Sequence, residues 1–401
     1  RLNETDVKQF EWQQMLSDGY PQTMQLKYPR AGEKNATADV VLYDMHYKSN
    51  TKLNIPNSSN SYIPRILWRQ KSNTLMVWQL NRNQTELSLY EVDAKTQTSK
   101  LFLQEKAVEG YADYELAESF MELPNGSWIG LSDQDGYRHL YLFSALGGRE
   151  AQLTQGNYDL VSINHYDAAS QTVYFTAARP TPADRSLYSV SLKNKKQNPL
   201  TTDIGYHNIT FTANGQYYID NYSTLNTPNK ISLVNRANNK TVRVLETNEK
   251  VNQAWTEAGI PQKEMFSIVT DNGDTLFGWM MKPQHFDPKK KYGLLLCPYG
   301  GPASQQVLNR WRTDWSDYAA TLGYVVACVD GRGTASRGVH WRMLTYKQVG
   351  RYEGEDQATV ARYFMKQPYI DSHNICIWGW SFGGFTTINA MQTDTIFRCG
   401  M

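Results

Sequence analysis

Cysteine is scarce in this chain. There are 4 in 401 residues, Cys297, Cys328, Cys376 and Cys399, all in the C-terminal part. Numbers this low argue against the disulfide framework of a small secreted domain. Cys297, Cys328 and Cys376 lie in or beside apolar, strand-like runs, where a free cysteine behaves as a small hydrophobe. Neither a Cys-x-x-Cys nor a His-x-x-x-His spacing occurs, so no zinc site or other metal is expected. Long apolar runs are also missing. Leu294–Cys297 and Tyr324–Val329 are the longest, far short of the ~20 residues a membrane helix needs. Charge of one sign is not concentrated: the formal net charge is +2, and no basic block exceeds Lys289-Lys290-Lys291. That excludes the electrostatic footprint of a nucleic-acid binder. Arg1 opens a polar stretch with no apolar signal region, so the gene product is expected to begin further upstream.

What is present is globular. Apolar residues make up 40% and charged residues 20%, which argues against disorder, and the length favours two domains. Up to about residue 255 the chain reads as all-β, with short aromatic and β-branched runs between turns rich in Asn, Gly, Ser and Lys. A repeat is visible in Ser88–Val92, His139–Phe143, Ser186–Val190 and Lys230–Val234. Their central positions, 90, 141, 188 and 232, are spaced by 51, 47 and 44 residues, and an earlier copy, Val40–Tyr43, precedes the first by 47. Each is followed by a polar turn and a second strand, as at Thr98–Leu103 and Arg149–Leu153. A period in the high forties suits one four-stranded propeller blade, so four to five blades of a partial β-propeller are expected over residues 1–255. A β-sandwich with accidental spacing is the competing reading.

Near residue 256 the pattern changes. Met265–Val269 and Thr275–Met281 suggest a hairpin across Asp271-Asn272-Gly273-Asp274. Apolar strands at Gly293–Pro298, Tyr324–Asp330 and Ile375–Trp378 then alternate with helical stretches at Trp311–Leu322 and Gln357–Met365. Buried parallel strands separated by helices predict the N-terminal part of an α/β-hydrolase domain over 256–401.

The last strand runs into Trp378-Gly379-Trp380-Ser381-Phe382-Gly383-Gly384, a Gly-x-Ser-x-Gly nucleophile elbow. Glycine two residues to either side is needed because the turn leaves no room for side chains there. Ser381 is the expected nucleophile. A serine hydroxyl needs a base to take its proton during attack, and in this fold the acid and the histidine follow the serine. The chain ends twenty residues later at Met401, and no histidine follows Ser381. His340 and His373 both precede it, and neither is assigned as the base. The oxyanion formed on attack needs donors set in advance. The backbone N–H of Phe382 is one. Tyr299, which ends a strand and enters Gly300-Gly301-Pro302, is the candidate for the other, unless it is simply a packed strand-end tyrosine. Trp380 and Phe382 flank the nucleophile and would wall an apolar substrate pocket, or else belong to the core. Arg332, in Asp330-Gly331-Arg332-Gly333, is expected to pair with Glu353, Glu355 or Asp356 rather than to touch substrate.

These segments resemble the dipeptidyl peptidase IV group of the prolyl oligopeptidase family of serine peptidases. Gly379–Gly384 is similar to that group's Gly-Trp-Ser-Tyr-Gly-Gly, with Phe382 in place of the tyrosine. Tyr299–Gln305 resembles its Tyr-x-Gly-Pro-x-Ser-Gln segment, whose tyrosine hydroxyl is the second oxyanion donor. Asp330–Gly333, Glu355-Asp356-Gln357 and Pro29–Gly32 also match family segments. The resemblance implies an exopeptidase that needs no cofactor. It would release dipeptides with proline, or less well alanine, in second place from peptides with a free N-terminus. It further implies that the glutamates binding the substrate ammonium lie upstream of Arg1, that the triad Asp and His lie beyond Met401, and that these residues alone are inactive. Family members are commonly homodimers through C-terminal elements, and Cys399 matches a cysteine that pairs with a later one. A prolyl tripeptidyl aminopeptidase and a non-catalytic binding protein on the same scaffold are the alternatives. Asn-x-Ser/Thr sequons, starting at Asn3, Asn35 and Asn57, add weakly to the expectation of an exported, periplasmic or extracellular protein.

Overall fold

The computed structural model describes residues 1–56, 60–70 and 72–401, so the sequon at Asn57 lies outside the described residues. These residues form two compact units, Arg1–Gly130 with Leu142–Glu150, and Leu131–Tyr141 with Ala151–Met401.

Four four-stranded sheets follow one another along the chain, spanning residues 61–106, 121–152, 160–199 and 206–246, each with its strands side by side in sequence order. They are the blades of the β-propeller. The repeat seen in the sequence is the third strand of each blade: Glu86–Asp93, His139–Phe143, Ser186–Ser191 and Lys230–Asn235. Its periodicity is physical, because a third strand is flanked on both sides and buries most of its side chains. Leu87, Leu89, Leu140, Leu187 and Val190 are all fully buried. The earlier copy lies in Val41–Asp44, which pairs antiparallel with Ser49–Lys52 in a two-stranded sheet.

Within the first unit the Arg69 guanidinium gathers strands from two blades. It donates to Glu122 Oε1 at 2.8 Å, Glu91 Oε1 at 2.7 Å and the carbonyls of Gly126 and Ala145. Within the second unit, Tyr174, Phe211 and Tyr218 pack between the last two blades.

The second unit ends in a six-stranded sheet, in the order Lys263–Val269, Thr275–Met281, Val325–Asp330, Tyr292–Leu296, Ile370–Ile377 and Cys399–Gly400. The hairpin at its start has the predicted turn, with Val269 opposite Thr275, and joins the rest antiparallel; the other neighbours run parallel. Alternate residues of one strand serve two cores. Leu294 and Leu296 pack with Val325, Ile375, Ile377, Phe364 and Ala390 on one face. Leu295 packs with Val326, Cys328, Ala319 and Ala320 on the other. Burial on both faces is why these strands read as unbroken apolar runs, each large side chain contributing about 1.5–3 kcal/mol.

Three elements differ from the sequence expectation. The helix expected over Trp311–Leu322 spans only Trp315–Thr321. Asp314 caps it, accepting from Ser316 N at 2.8 Å while Asp317 Oδ2 accepts from Asp314 N. The preceding residues are engaged elsewhere, Trp311 N donating to Ser223 Oγ and the Arg312 carbonyl accepting from Lys263 Nζ. The next long helix begins earlier than expected, at Arg351, because Glu353 accepts from Gly350 N at 2.8 Å and closes its first turn. The nucleophile strand also begins earlier, at Ile370, so His373 is an exposed residue within it rather than ahead of it. Among the described residues no helix is long and apolar enough to cross a membrane.

Candidate active site

Strand Ile370–Ile377 ends beside strand Tyr292–Leu296, held by Trp378 N donating to the Leu296 carbonyl at 2.8 Å. Past this point the chain turns sharply and enters helix Phe382–Thr393. The turning residue is Ser381, with φ +57° and ψ −118°. Backbone in that region is costly for any residue with a Cβ, about 1–3 kcal/mol, and persists only where its surroundings over-determine it. Here they do. A Cβ on Gly379 would lie 2.1 Å from the Gly383 carbonyl carbon and oxygen, and one on Gly383 would lie 2.7 Å from the Pro298 oxygen. Backbone therefore packs on backbone on both sides of the serine, and Ser381 is left exposed at the helix start.

The N–H of Phe382 is the first of the helix and has no acceptor within it. The helix dipole adds partial positive charge at the same place. Tyr299 approaches from the neighbouring strand. Its ring lies over Gly301, where a Cβ would come within 2.7 Å of Tyr299 Cε1, and 6.1 Å from the Phe382 ring, centroid to centroid. Gly300 turns the chain at φ +73°. Thr386 Oγ1, one turn into the helix, donates to the Tyr299 carbonyl at 3.0 Å. That bond ties the tyrosine's backbone to the nucleophile helix. Sequence reasoning missed Thr386, and a buried helical threonine carries no signal that would have singled it out.

Trp380 is 78% exposed. With Tyr299, Trp378, Trp315, Arg310 and Arg312 it lines a cavity of about 290 Å³. Phe382 packs instead against Tyr299 and Phe385. Of the residues singled out in the sequence, the fold thus gathers Ser381, Phe382, Tyr299 and Trp380 at the carboxyl ends of two adjacent parallel strands.

Arg332 is directed away from this place. Its Nε and Nη2 donate to Asp356 Oδ1 at 2.9 and 2.7 Å, and Glu355 lies at 3.3 Å. Asp330 ends strand Val325–Asp330, the other neighbour of Tyr292–Leu296, and anchors the segment beyond Tyr299, accepting from Gln306 N at 3.0 Å and Val307 N at 2.8 Å. From the other side Arg185 Nη2 donates to Gln305 at 2.6 Å, and Asn309 donates to Asp184 at 2.9 Å. Burial pushes the Asp330 carboxyl up to about 6, against the backbone hydrogen bonds that lower it. The folded chain therefore holds this proton more tightly than the unfolded chain. Stability from this group is full below about pH 4 and is lost as pH rises through about 6. Asp330→Asn is expected to remove up to about 3 kcal/mol of that pH dependence. Urea unfolding of both proteins at pH 4 and pH 7 measures it, and equal slopes would refute the assignment.

Cys399 was expected to have no partner among these residues, but its Sγ lies 2.8 Å from Cys376 Sγ. The two are direct partners on neighbouring parallel strands, a proximity that strand register creates and sequence spacing hides.

Comparison with known proteins bears on this geometry. Residues 1–229 match the family profile of the dipeptidyl peptidase IV (DPP IV) N-terminal region, and residues 310–401 match that of the prolyl oligopeptidase family. Ser381, Phe382 and Trp380 lie inside the second range, and Tyr299 lies between the two. A dipeptidyl peptidase 4 of Trichophyton equinum is 30% identical over 428 residues, covering 100% of this chain and 54% of its own length. One from Arthroderma otae is 29% identical over 418 residues, with 100% and 54% covered. The crystal structure of Porphyromonas gingivalis dipeptidyl peptidase 4 superposes with a TM-score of 0.94 at 36% identity, covering 100% of this chain and 56% of that one. The chain thus spans little more than half the length of these relatives.

Proposed function

We propose, for a chain that belongs to the dipeptidyl peptidase IV group of the prolyl oligopeptidase family, that the protein is a serine exopeptidase releasing dipeptides from free peptide N-termini, with proline or alanine as the second residue. Ser381 Oγ attacks the carbonyl carbon of that second residue while a histidine takes its proton. The negative charge that develops on the carbonyl oxygen is met by the Phe382 N–H and the Tyr299 hydroxyl. Collapse of the tetrahedral intermediate expels the shortened peptide amine, and water then releases the dipeptide from the serine. In this reading the triad histidine and aspartate come from sequence beyond Met401, and the groups that bind the substrate ammonium from sequence before Arg1. Trp380 and Phe382 flank the bound peptide.

The strained backbone at Ser381 carries the proposal. A turn that costs about 1–3 kcal/mol, enforced by close backbone contacts at Gly379 and Gly383, has an evident use in presenting a nucleophile and none in packing. The division near 255/256 is part of the same reading. It is supported by the passage from four-stranded blades to a mixed sheet across helix Glu249–Glu257. Export to the periplasm or cell exterior and a homodimer belong to the same reading.

The test is cleavage by the protein with its native flanking sequence of Ala-Pro-p-nitroanilide against Ala-Ala-Pro-p-nitroanilide. At least tenfold higher kcat/KM for the first is expected, a difference of about 1.4 kcal/mol in transition-state binding. The reverse order would make the protein a tripeptidyl aminopeptidase. Hydrolysis of neither would leave the scaffold as a binding protein.

A further inference from the structure

The cavity of about 290 Å³ beside the nucleophile has a wall of two kinds of residue. Trp315, Trp378 and Trp380 make part of it apolar, with Trp315 set edge-on against Trp378 at a centroid separation of 4.8 Å. Lys263, Arg310, Arg312 and Asp314 supply its charges. Lys263 is neutralised within the fold, its Nζ 2.8 Å from Asp317 Oδ1. Asp314 is committed to capping its helix. The Arg312 side chain has a neutral acceptor, its Nη1 donating to Gln306 Oε1 at 2.7 Å. Arg310 has no hydrogen-bond acceptor or acid within reach among the described residues. Its guanidinium lies over the Tyr206 ring, 5.1 Å from the centroid. Two arginines against one aspartate leave the cavity with a surplus of positive charge.

A half-buried arginine without an acid is costly unless something else meets its charge, yet the chain fixes this one in place. Asn309, just before it, donates its N–H to the Ala183 carbonyl at 2.9 Å and its side chain to Asp184 at 2.9 Å. The Asn309 Oδ1 accepts from Leu225 N at 3.1 Å. Trp311, just after it, donates N–H to Ser223 Oγ at 3.2 Å. The backbone is therefore pinned on both sides of Arg310, and the Tyr206 ring holds the guanidinium plane. Its donors are set in position and unspent, which lowers the ordering cost of meeting an anion. We propose that this cavity receives the peptide that leaves, and that Arg310, with Arg312, makes the enzyme favour a carboxylate on that peptide.

This role rests on the peptidase reading, and the sign of the charge decides which half of the substrate lies where. A substrate with a free N-terminus carries an ammonium two residues before the scissile bond, and a positive cavity repels it. Tyr299 and Trp380 both line the cavity and set it next to Ser381. What lies in it is therefore the other half, the residues after the scissile bond. An acidic side chain there lays its methylenes along Trp380, and its carboxylate takes the charge-assisted hydrogen bonds that Arg310 has free. A lysine at the same place meets like charge.

The amidated peptides Ala-Pro-Glu-Glu, Ala-Pro-Gln-Gln and Ala-Pro-Lys-Lys are given to the protein with its native flanking sequence at neutral pH and low salt. Release of Ala-Pro is followed by chromatography. Glutamine matches glutamate in shape and lacks its charge, so the ratio between the first two reads the charge alone. The Glu-Glu peptide is expected to show about tenfold higher kcat/KM than the Gln-Gln peptide, with the Lys-Lys peptide below both. That advantage should shrink as salt screens the pair. In protein carrying both Arg310→Gln and Arg312→Gln the Glu-to-Gln ratio should fall to about two or less, whereas Arg310→Lys, which keeps the charge, should retain most of it. Each ratio is taken within one protein, so a general loss of activity cancels. Equal kcat/KM for the Glu-Glu and Gln-Gln peptides in the parent would overturn the role of the arginines and leave the peptidase reading standing. So would a ratio unchanged in the double variant. Release from none of the peptides, with Ala-Pro-p-nitroanilide also left intact, would remove both together.

Discussion

Alanine at Ser381 is expected to lower kcat by about four to six orders of magnitude in the protein with its flanking sequence, while its unfolding transition stays in place. The fold is spared because the side chain is exposed and Ser381 makes no cap bond to its helix. The elbow is enforced instead by backbone contacts at Gly379 and Gly383, which alanine at 381 does not touch. Activity is lost because no other hydroxyl is held on a strained turn at the head of that helix. Hydrolysis of Ala-Pro-p-nitroanilide and labelling by a fluorophosphonate report on the same oxygen, and both should vanish together. Turnover within tenfold of the parent would place the nucleophile elsewhere. Labelling that persists would show the probe reacting at another residue.

Phenylalanine at Tyr299 is expected to reduce kcat by about 10²–10³-fold with little change in KM, the usual cost of one oxyanion donor, about 3–4 kcal/mol. The substitution removes an oxygen and keeps the ring, which continues to pack over Gly301 and against Phe382. The tie from Thr386 is to the backbone carbonyl of residue 299 and also survives. Because residue 382 is itself phenylalanine, no neighbouring phenol is available there to substitute. The developing charge would be left to the Phe382 N–H and the helix dipole. A split of this kind, with kcat falling and KM steady, separates a transition-state donor from a ground-state contact. Raised KM with kcat unchanged would assign Tyr299 to substrate binding instead.

How much of this was legible beforehand depends on the range of the forces involved. The elbow could be read because part of its constraint is local: Gly379 is needed by its contact with Gly383, four residues on, whereas Gly383 packs on the distant Pro298 carbonyl. The blades could be read because their third strands recur at nearly constant spacing as short apolar runs between polar turns. Arg332 was rightly expected to pair with acids, since a guanidinium beside a sheet end must be satisfied. Its choice of Asp356 follows from helix Arg351–Met365 crossing behind the strand, which no spacing reveals. The start of helix Trp315–Thr321 was misplaced for a similar reason. Trp311 and Arg312 have acceptable helical character, but bonds to Ser223 and Lys263 hold them out of it.

The order of residues alone settled that a serine would stand between glycines at the end of an apolar strand, that the preceding half would be bladed, and that the chain belongs to a peptidase lineage. Short-range sterics and the two-residue period of a strand are written in neighbouring letters. Folding in three dimensions settled which distant groups meet: Tyr299 beside Phe382, Thr386 against the Tyr299 carbonyl, Asp330 under the loop at Gln306, and Cys376 opposite Cys399. Those meetings depend on strand order and register, which are selected by burial summed over the whole sheet.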